Sequence, residues 1–181
     1  MIQQPTVHFL GKELKGAPVH KLVRTVKDLA GIFQDQIAFK TEVPDKVAYE
    51  VSSYFPVEEG REGGLFFGIT YLYPGKIGKE YYMTKGHLHT IGNRAEYYWC
   101  IEGKGMLLLM AEDRNTWAEE MFPGSLHYIN GFTAHRVANT GNSVLSFGAC
   151  WPSDAGHDYE SIAKNGFSKR LLEIDGKPTL I

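Results

Sequence analysis

The residues best suited to chemistry in this sequence are three histidines and one glutamate. His87 and His89 are separated by one residue, Glu96 follows after six more, and His135 lies in a later segment. In a β-strand, residues two positions apart point to the same face, so His87 and His89 can present two imidazoles to one ion. A turn before Glu96 would bring its carboxylate opposite them. Three neutral imidazoles and a carboxylate suit divalent Fe, Mn, Zn, Ni or Co and leave room for water or substrate.

The segments that carry these residues are predicted to be β-strands joined by turns. From residue 47 to residue 151, short apolar and aromatic runs alternate with turns that contain glycine or proline. Within 95–103, Glu96, Tyr98 and Cys100 share one face. Several short strands in succession indicate a sandwich or barrel. The predicted strands are residues 47–55, 65–73, 78–89, 95–103, 106–110, 125–129, 135–139 and 143–151.

The flanking regions are predicted to contain short helices. Apolar residues recur at helical spacing over 19–30, which indicates an amphipathic helix. A short helix over 159–165 and a final strand over 168–174 are also predicted. Because no linker or repeat is visible, we expect one domain over 1–181. It would have an N-terminal extension over about 1–46, a barrel core over about 47–151 and a C-terminal segment over 152–181.

Composition argues against several classes of partner. The 181 residues include 19 Lys and Arg against 21 Asp and Glu, so no basic excess indicates binding to nucleic acid or to an anionic membrane. The longest apolar run, 106–111, is far shorter than the roughly 20 residues of a membrane-spanning helix. Cys100 and Cys150 are predicted to be reduced thiols, although a disulfide is conceivable. We expect a soluble cytoplasmic protein.

Two stretches around the candidate ligands resemble the paired motifs of the cupin superfamily. The first runs from His87 to Gly103 as His-x-His-x6-Glu-x6-Gly, and the second runs from Gly124 to Asn139 and contains His135. In that family the first motif supplies two histidines and a glutamate, and the second supplies the third histidine. The resemblance therefore implies an all-β fold, the cupin double-stranded β-helix or jelly-roll barrel, with short peripheral helices. Asn130 and Phe132 stand where the family usually has Pro and Gly, at turn positions that are not ligands.

Further segments resemble one group of cupins, the cupin-type glucose-6-phosphate isomerases of archaea and some bacteria. They are YPGKIGKE at 73–80, TKGHLH at 84–89, RAEYY at 94–98, DAGHDY at 154–159 and GFSK at 166–169. The resemblance runs from about Tyr49 to Lys169. It implies reversible conversion of glucose 6-phosphate to fructose 6-phosphate, in glycolysis and gluconeogenesis.

The resemblance also implies residue roles. The metal would be held by His87, His89, Glu96 and His135, with Fe²⁺ expected ahead of Mn²⁺, Ni²⁺, Co²⁺ or Zn²⁺. The implied phosphate-binding residues are Thr70, Thr84 and Gly86, and the implied sugar-contacting residues are Tyr49, Tyr98, His157 and Tyr159. Trp151 stands where the resembling family has a tyrosine, so its hydroxyl is missing here.

Two chemical routes remain open from the sequence. In a proton-transfer route Glu96 is the first candidate for the base, with Tyr98 and His157 as further catalytic candidates. In a hydride shift the metal would matter more and the base less. Lys85 either adds charge for the phosphate or is a solvated strand lysine, and His127 is expected to be structural.

The same ligand set is compatible with other functions. One alternative is an iron-dependent cupin dioxygenase, which needs open positions for both O₂ and an organic substrate. Another is a non-catalytic cupin that only binds a sugar phosphate. A homodimer is expected, because cupins often pair through exposed barrel edges.

Overall fold

The strands of this protein form four antiparallel sheets with few helices. The computed structural model describes residues 1–181. In chain order the elements are β1 His8–Leu10, β2 Glu13–Lys15, β3 Val19–Thr25, a 3-10 helix Val26–Leu29, α1 Gln36–Thr41, β4 Val47–Tyr54, β5 Leu65–Leu72, β6 Lys76–Ile77, β7 Glu80–Tyr81, β8 Glu96–Glu102, β9 Gly105–Met110, β10 Thr116–Met121, β11 Leu126–Ile129, β12 Ala134–Asn139, β13 Leu145–Pro152, α2 Glu160–Asn165, β14 Leu171–Ile174 and β15 Lys177–Leu180.

Two of the sheets enclose the main core. The larger has six strands in the order β11-β8-β13-β5-β4-β3, and the second has three in the order β10-β9-β12. Buried residues of both contribute to one cluster, for example Leu72 and Phe147 from the first and Leu107 and Val137 from the second. A four-stranded sheet, β15-β14-β7-β6, and the hairpin β1-β2 lie outside this pair. The arrangement confirms the predicted all-β cupin barrel with short peripheral helices.

The side chains of β8 alternate between its two faces, and the residues predicted to face the barrel interior do so. Glu96, Tyr98 and Cys100 are buried, whereas Tyr97 is exposed. This confirms the predicted face, because side chains of a strand alternate between its two sides. Glu96 therefore points into the barrel from the first residue of its strand.

The predicted helix over 19–30 is wrong. Residues Val19–Thr25 form β3, which pairs with β4 from Val19↔Tyr54 to Thr25↔Val47. The ladder of hydrogen bonds to a neighbouring strand outweighs the local apolar spacing, and Val19 and Val23 favour a strand. Only Val26–Leu29 is helical, as one 3-10 turn, where Asp28 Oδ2 accepts hydrogen bonds from the backbone N–H and hydroxyl of Thr25.

Several further elements were not predicted. They are β1, β2, β6, β10, β15 and helix α1. Of the predicted strand over 78–89, only Glu80–Tyr81 forms a strand, as β7. The predicted helix over 159–165 is confirmed as α2, and the final strand over 168–174 is shorter and starts at Leu171. None of the helices has the length and apolar character that crossing a membrane requires.

Candidate metal centre and active site

Four side chains from three separate parts of the chain converge in the barrel. His87 and His89 lie in the segment between β7 and β8, Glu96 begins β8, and His135 lies in β12. Their potential ligand atoms all lie within 4.8 Å of one another. His89, Glu96 and His135 are buried and His87 is half-buried. The structure thus brings together all four residues that the sequence singled out for a metal.

The outer nitrogens of two histidines are fixed by backbone carbonyls. Nδ1 of His89 lies 2.7 Å from the carbonyl oxygen of Arg94, and Nδ1 of His135 lies 3.0 Å from that of Thr133. A carbonyl only accepts, so each Nδ1 carries the hydrogen and donates it. The lone pair of each Nε2 then points to the centre, which is the tautomer that a metal requires.

The inner atoms of the four side chains have no hydrogen-bond partners. Nε2 of His87, His89 and His135 and Oε1 of Glu96 are buried and unpaired. Oε1 of Glu96 lies 2.5 Å from Nε2 of His135 and 3.3 Å from Nε2 of His89, although neither pair forms a hydrogen bond. Buried polar atoms are normally satisfied. Four unsatisfied atoms around one point fit a bound cation.

The protonation states suit the same interpretation. Burial lowers the pKa of His87 well below its usual value, and the neighbouring His135 and His157 lower it further. Burial alone would raise the pKa of Glu96, but His135 and His89 outweigh this effect and bring it to about 2. For His89 burial lowers the pKa, but Glu96 outweighs burial and raises it. A cation bound here would compete with protons for His89 Nε2 and would bind the ionised carboxylate of Glu96.

A cavity of about 530 Å³ opens beside this centre. Its lining includes every residue that the resemblance implied for catalysis or substrate contact. These are Tyr49, Thr70, Thr84, Gly86, Glu96, Tyr98, His157 and Tyr159. His87 also lines the cavity. Residues from five separate segments therefore share one space with the candidate metal ligands.

One side of the cavity carries hydrogen-bond donors. The Thr84 Oγ1 accepts a hydrogen bond from the backbone N–H of Val137 at 3.1 Å, which leaves the hydroxyl hydrogen free to donate. Gly86 has φ +75°, and a Cβ there would lie 2.8 Å from Nε of Arg136. Only glycine accepts this conformation and this close approach without strain. Lys85, between them, also lines the cavity.

Aromatic rings form the part of the cavity nearest the metal centre. The His157 ring lies 4.5 Å from that of His87 and stacks on Tyr159, with centroids 5.7 Å apart. The Tyr98 ring lies 5.7 Å from that of His135. Desolvation lowers the pKa of His157 and raises that of Tyr98 well above 10. Both side chains are therefore neutral at pH 7, His157 able to accept and Tyr98 able to donate a hydrogen bond.

The sequence interpretation missed Arg24. This residue lines the cavity and pairs in register with Tyr49 of β4. Burial raises the pKa of Tyr49 to about 12, while Arg24 acts to lower it. Leu22 and Arg24 both line the cavity, as residues two apart in a strand should. The alternation is therefore present in the sequence, although the apolar spacing of the same segment favours a helix.

Trp151 lines the cavity at the position where the resemblance predicted a tyrosine. Its ring packs edge-on against Phe66 at 5.9 Å and lies 6.4 Å from His157. A Cβ on Gly68 would come within 3.1 Å of the indole. The larger ring is therefore accommodated by the absence of a side chain on the facing strand.

The remaining predicted residues lie outside the cavity. His127 is buried, with Nδ1 2.7 Å from Glu119 Oε2 and Nε2 2.9 Å from Ser125 Oγ, as expected of a structural histidine. Cys100 and Cys150 are both free thiols, and no disulfide joins them.

Comparison with known proteins identifies close relatives. A family model described as glucose-6-phosphate isomerase matches residues 23–178. The glucose-6-phosphate isomerase of Thermococcus kodakarensis is 46% identical over 162 residues, which cover 89% of this chain and 85% of that protein. That of Pyrococcus horikoshii is 42% identical over 177 residues, covering 97% and 92%. A putative glucose-6-phosphate isomerase 2 of Rhizobium meliloti is 39% identical over 166 residues, covering 90% and 82%.

A solved structure, oxalate decarboxylase from Bacillus subtilis at pH 4.6, aligns with a TM-score of 0.48 and 19% identity. The alignment covers 61% of this chain and 26% of that one.

Proposed function

The chain belongs to the glucose-6-phosphate isomerase family, and from this premise we propose that the cavity beside the metal centre is where it interconverts glucose 6-phosphate and fructose 6-phosphate. One observation carries the assignment to this site. Two of the four ligand side chains with unpaired inner atoms, His87 and Glu96, line the same cavity of about 530 Å³ as Thr84 and Gly86. The cavity therefore offers a cation and a phosphate-binding edge to one small molecule.

The metal would be held by His87, His89, Glu96 and His135. This donor set accepts several divalent ions, and among them we propose Fe²⁺, with Mn²⁺, Ni²⁺, Co²⁺ and Zn²⁺ as substitutes. When bound, such an ion supplies Lewis-acid polarisation of the sugar carbonyl.

We propose that the phosphate group is anchored by Thr84, Gly86 and Thr70. The Thr84 hydroxyl has its hydrogen free, because its oxygen already accepts from Val137. Hydrogen bonds to a charged phosphate are stronger than those between neutral groups. Arg24 and Lys85 add positive charge to the lining, so the substrate dianion meets both donors and cations there.

In the proton-transfer route, a proton leaves C2 of open-chain glucose 6-phosphate and a proton reaches C1, while another proton passes from the C2 hydroxyl to the oxygen on C1. We propose Glu96 as the base, since its pKa of about 2 keeps the carboxylate ionised at neutral pH. Tyr98 and His157 are proposed to orient the sugar oxygens, as a neutral donor and a neutral acceptor. Positioned proton transfer of this kind commonly contributes about 10²–10⁴ in rate.

We propose that the protein works as a homodimer in the cytoplasm. β11 lies at the edge of the six-stranded sheet, and its Leu126 and Tyr128 are exposed by 66% and 51%. The ring of Tyr97 in β8 packs beside that of Tyr128, with centroids 5.1 Å apart and planes tilted by 51°. Exposed apolar side chains on an edge strand favour pairing with a second copy. The two free thiols are compatible with a reducing compartment.

The test is a coupled assay that measures the glucose 6-phosphate that the protein forms from fructose 6-phosphate. Turnover should disappear when a chelator removes the metal. It should return on addition of Fe²⁺, Mn²⁺, Ni²⁺, Co²⁺ or Zn²⁺. Absence of turnover with every ion, in protein shown to bind it, would refute the proposal. Oxygen uptake with a small aromatic or thiol substrate would instead favour a dioxygenase.

A further inference from the structure

A second cavity, of about 370 Å³, lies against the other side of the 84–86 segment. Five of the side chains that line it are cationic and one is acidic. The cations are Lys85, Arg136, Lys164, Lys169 and Arg170, and the acid is Glu80. Isomerisation as proposed above does not use this cavity.

The central cation of this cavity, Arg136, is buried without a carboxylate partner. Only 7% of the residue is exposed, and it forms no ion pair. One terminal nitrogen donates to the carbonyl oxygen of Lys85 at 2.8 Å, and the other lies 3.3 Å from the sulfur of Met83. The guanidinium carbon lies 4.4 Å from the ring centroid of Phe167. Its Nε has no partner at all.

The single acid of the cavity is already engaged by other groups. Glu80 Oε1 accepts from Arg170 at 2.6 Å, and its Oε2 accepts from the backbone N–H of Gln34 at 2.6 Å. Glu80 thus forms its ion pair with Arg170, and it acts on Arg136 only as a charge without direct contact. Burial of an unpaired charge is expensive, so a compensating anion would be bound favourably.

We propose that this second cavity is a binding site for a phosphate group, either inorganic phosphate or the phosphomonoester of a small metabolite. The planar guanidinium of arginine matches the geometry of phosphate oxygens, and lysines at the rim add attraction. Lys164 and Lys169 are exposed at the entrance, whereas Arg136 lies at the buried end.

The site is separate from the proposed sugar-phosphate cavity but shares a wall with it. Arg136, Lys169 and Arg170 border only the second cavity, while Lys85, Gly86 and Tyr159 border both. An anion here would contact the reverse side of the backbone that we propose to hold the substrate phosphate. It would therefore alter the affinity of the substrate cavity for phosphate, in a reciprocal manner.

The experiment uses tungstate, which scatters anomalously, and inorganic phosphate. In crystals of the metal-loaded protein soaked with tungstate, we expect one anomalous peak in each cavity. Arg136→Met should remove the peak in the second cavity and keep the other. A peak in the substrate cavity alone would overturn the proposal, and this readout does not depend on isomerase turnover.

Calorimetry with inorganic phosphate provides a second measurement, which remains informative where Arg136→Met folds poorly. The exposed Lys169→Ala should weaken one of two phosphate sites by about three- to tenfold, as expected for a screened surface charge. Lys177→Ala, an exposed lysine of β15 outside the cavity, is the matched control and should leave both affinities unchanged. Identical phosphate binding by wild type and Lys169→Ala would count against the second site.

Discussion

His87 and His135 face each other across an isolated antiparallel bridge. The backbone N–H of His87 donates to the carbonyl oxygen of His135 at 3.1 Å, and the reverse bond measures 3.0 Å. Their rings consequently lie 4.2 Å apart. The segment before β8 is thus joined to β12 at the point where both supply candidate ligands. A cation held by both imidazoles would reinforce this connection between two distant segments.

Removal of the metal is therefore expected to destabilise the fold. An ion present at about 100 times its dissociation constant stabilises the native state by roughly 2.7 kcal/mol, and chelation would remove this contribution. Calorimetric melting with and without chelator measures the effect. In His135→Asn the melting temperature should no longer respond to chelator.

The matched control is His127→Asn, which changes a buried histidine that contacts Ser125 and Glu119 instead of the centre. This variant is expected to melt at a lower temperature but to keep the full response to chelator. A full chelator response in His135→Asn would contradict the assigned ligand set.

Replacement of Glu96 by Gln should separate catalysis from folding. The amide retains the shape of the carboxylate but cannot accept a proton from carbon, so kcat is expected to fall by about 10²–10⁴. Elemental analysis of the same samples measures their metal content. It shows how much of the fall in kcat is due to loss of the bound metal. Glu120→Gln, an exposed glutamate of β10, should retain full activity. A metal-loaded Glu96→Gln enzyme with nearly normal kcat would indicate a hydride shift.

The sequence predicted the metal ligands because their spacing reflects local geometry. His87 and His89 are two residues apart, and Glu96 and Tyr98 share the inner face of one strand, as period-two alternation requires. The match of the two motifs then indicated that His135 joins them. The shared face of Glu96 and Tyr98 follows from strand geometry, whereas the inclusion of His135 rests on the motif resemblance, because this residue lies far along the chain.

The sequence alone could not predict that Arg24 lines the first cavity or that Arg136 is buried beside the second. Arg24 lies in a segment whose apolar spacing fits a helix, and only pairing with β4 makes it a strand. Arg136 lies in β12, where all six residues are buried, so alternation no longer separates an inner face from an outer one. Both positions are decided by contacts between distant segments.

Thr84 is expected to act through its hydroxyl on substrate binding. Thr84→Val would remove the proposed hydrogen bond to the phosphate, and bonds to charged groups are worth about 1.5–3 kcal/mol. KM should therefore rise by roughly ten- to 150-fold, with a smaller change in kcat. Thr84→Ser should restore most of the affinity, because it keeps the oxygen that accepts from Val137. Thr179→Val, in β15, is the neutral comparison. An unchanged KM in Thr84→Val would remove this residue from the phosphate site.

The ion pair between Arg94 and Asp154 should make stability depend on acid pH. Arg94 Nε donates to Asp154 Oδ1 at 3.0 Å and its Nη2 donates to Oδ2 at 2.6 Å, while the Arg94 carbonyl accepts from His89. The Arg94 guanidinium holds the pKa of Asp154 below its ordinary value of 3.8. A depressed pKa means that the pair contributes fully above the unfolded value and loses its contribution as pH falls through the folded value.

The stability difference between wild type and Asp154→Asn, measured by urea unfolding, should therefore be constant from about pH 5 to pH 7 and shrink below pH 3.8. Asp175→Asn, an exposed residue of the β14–β15 turn, provides the comparison and should show little difference at any pH. Because Arg94 also fixes the His89 ring, Asp154→Asn should weaken metal binding by about 10–100-fold. Loss of stability without any change in metal affinity would show that the pair supports the loop but does not orient the ligand.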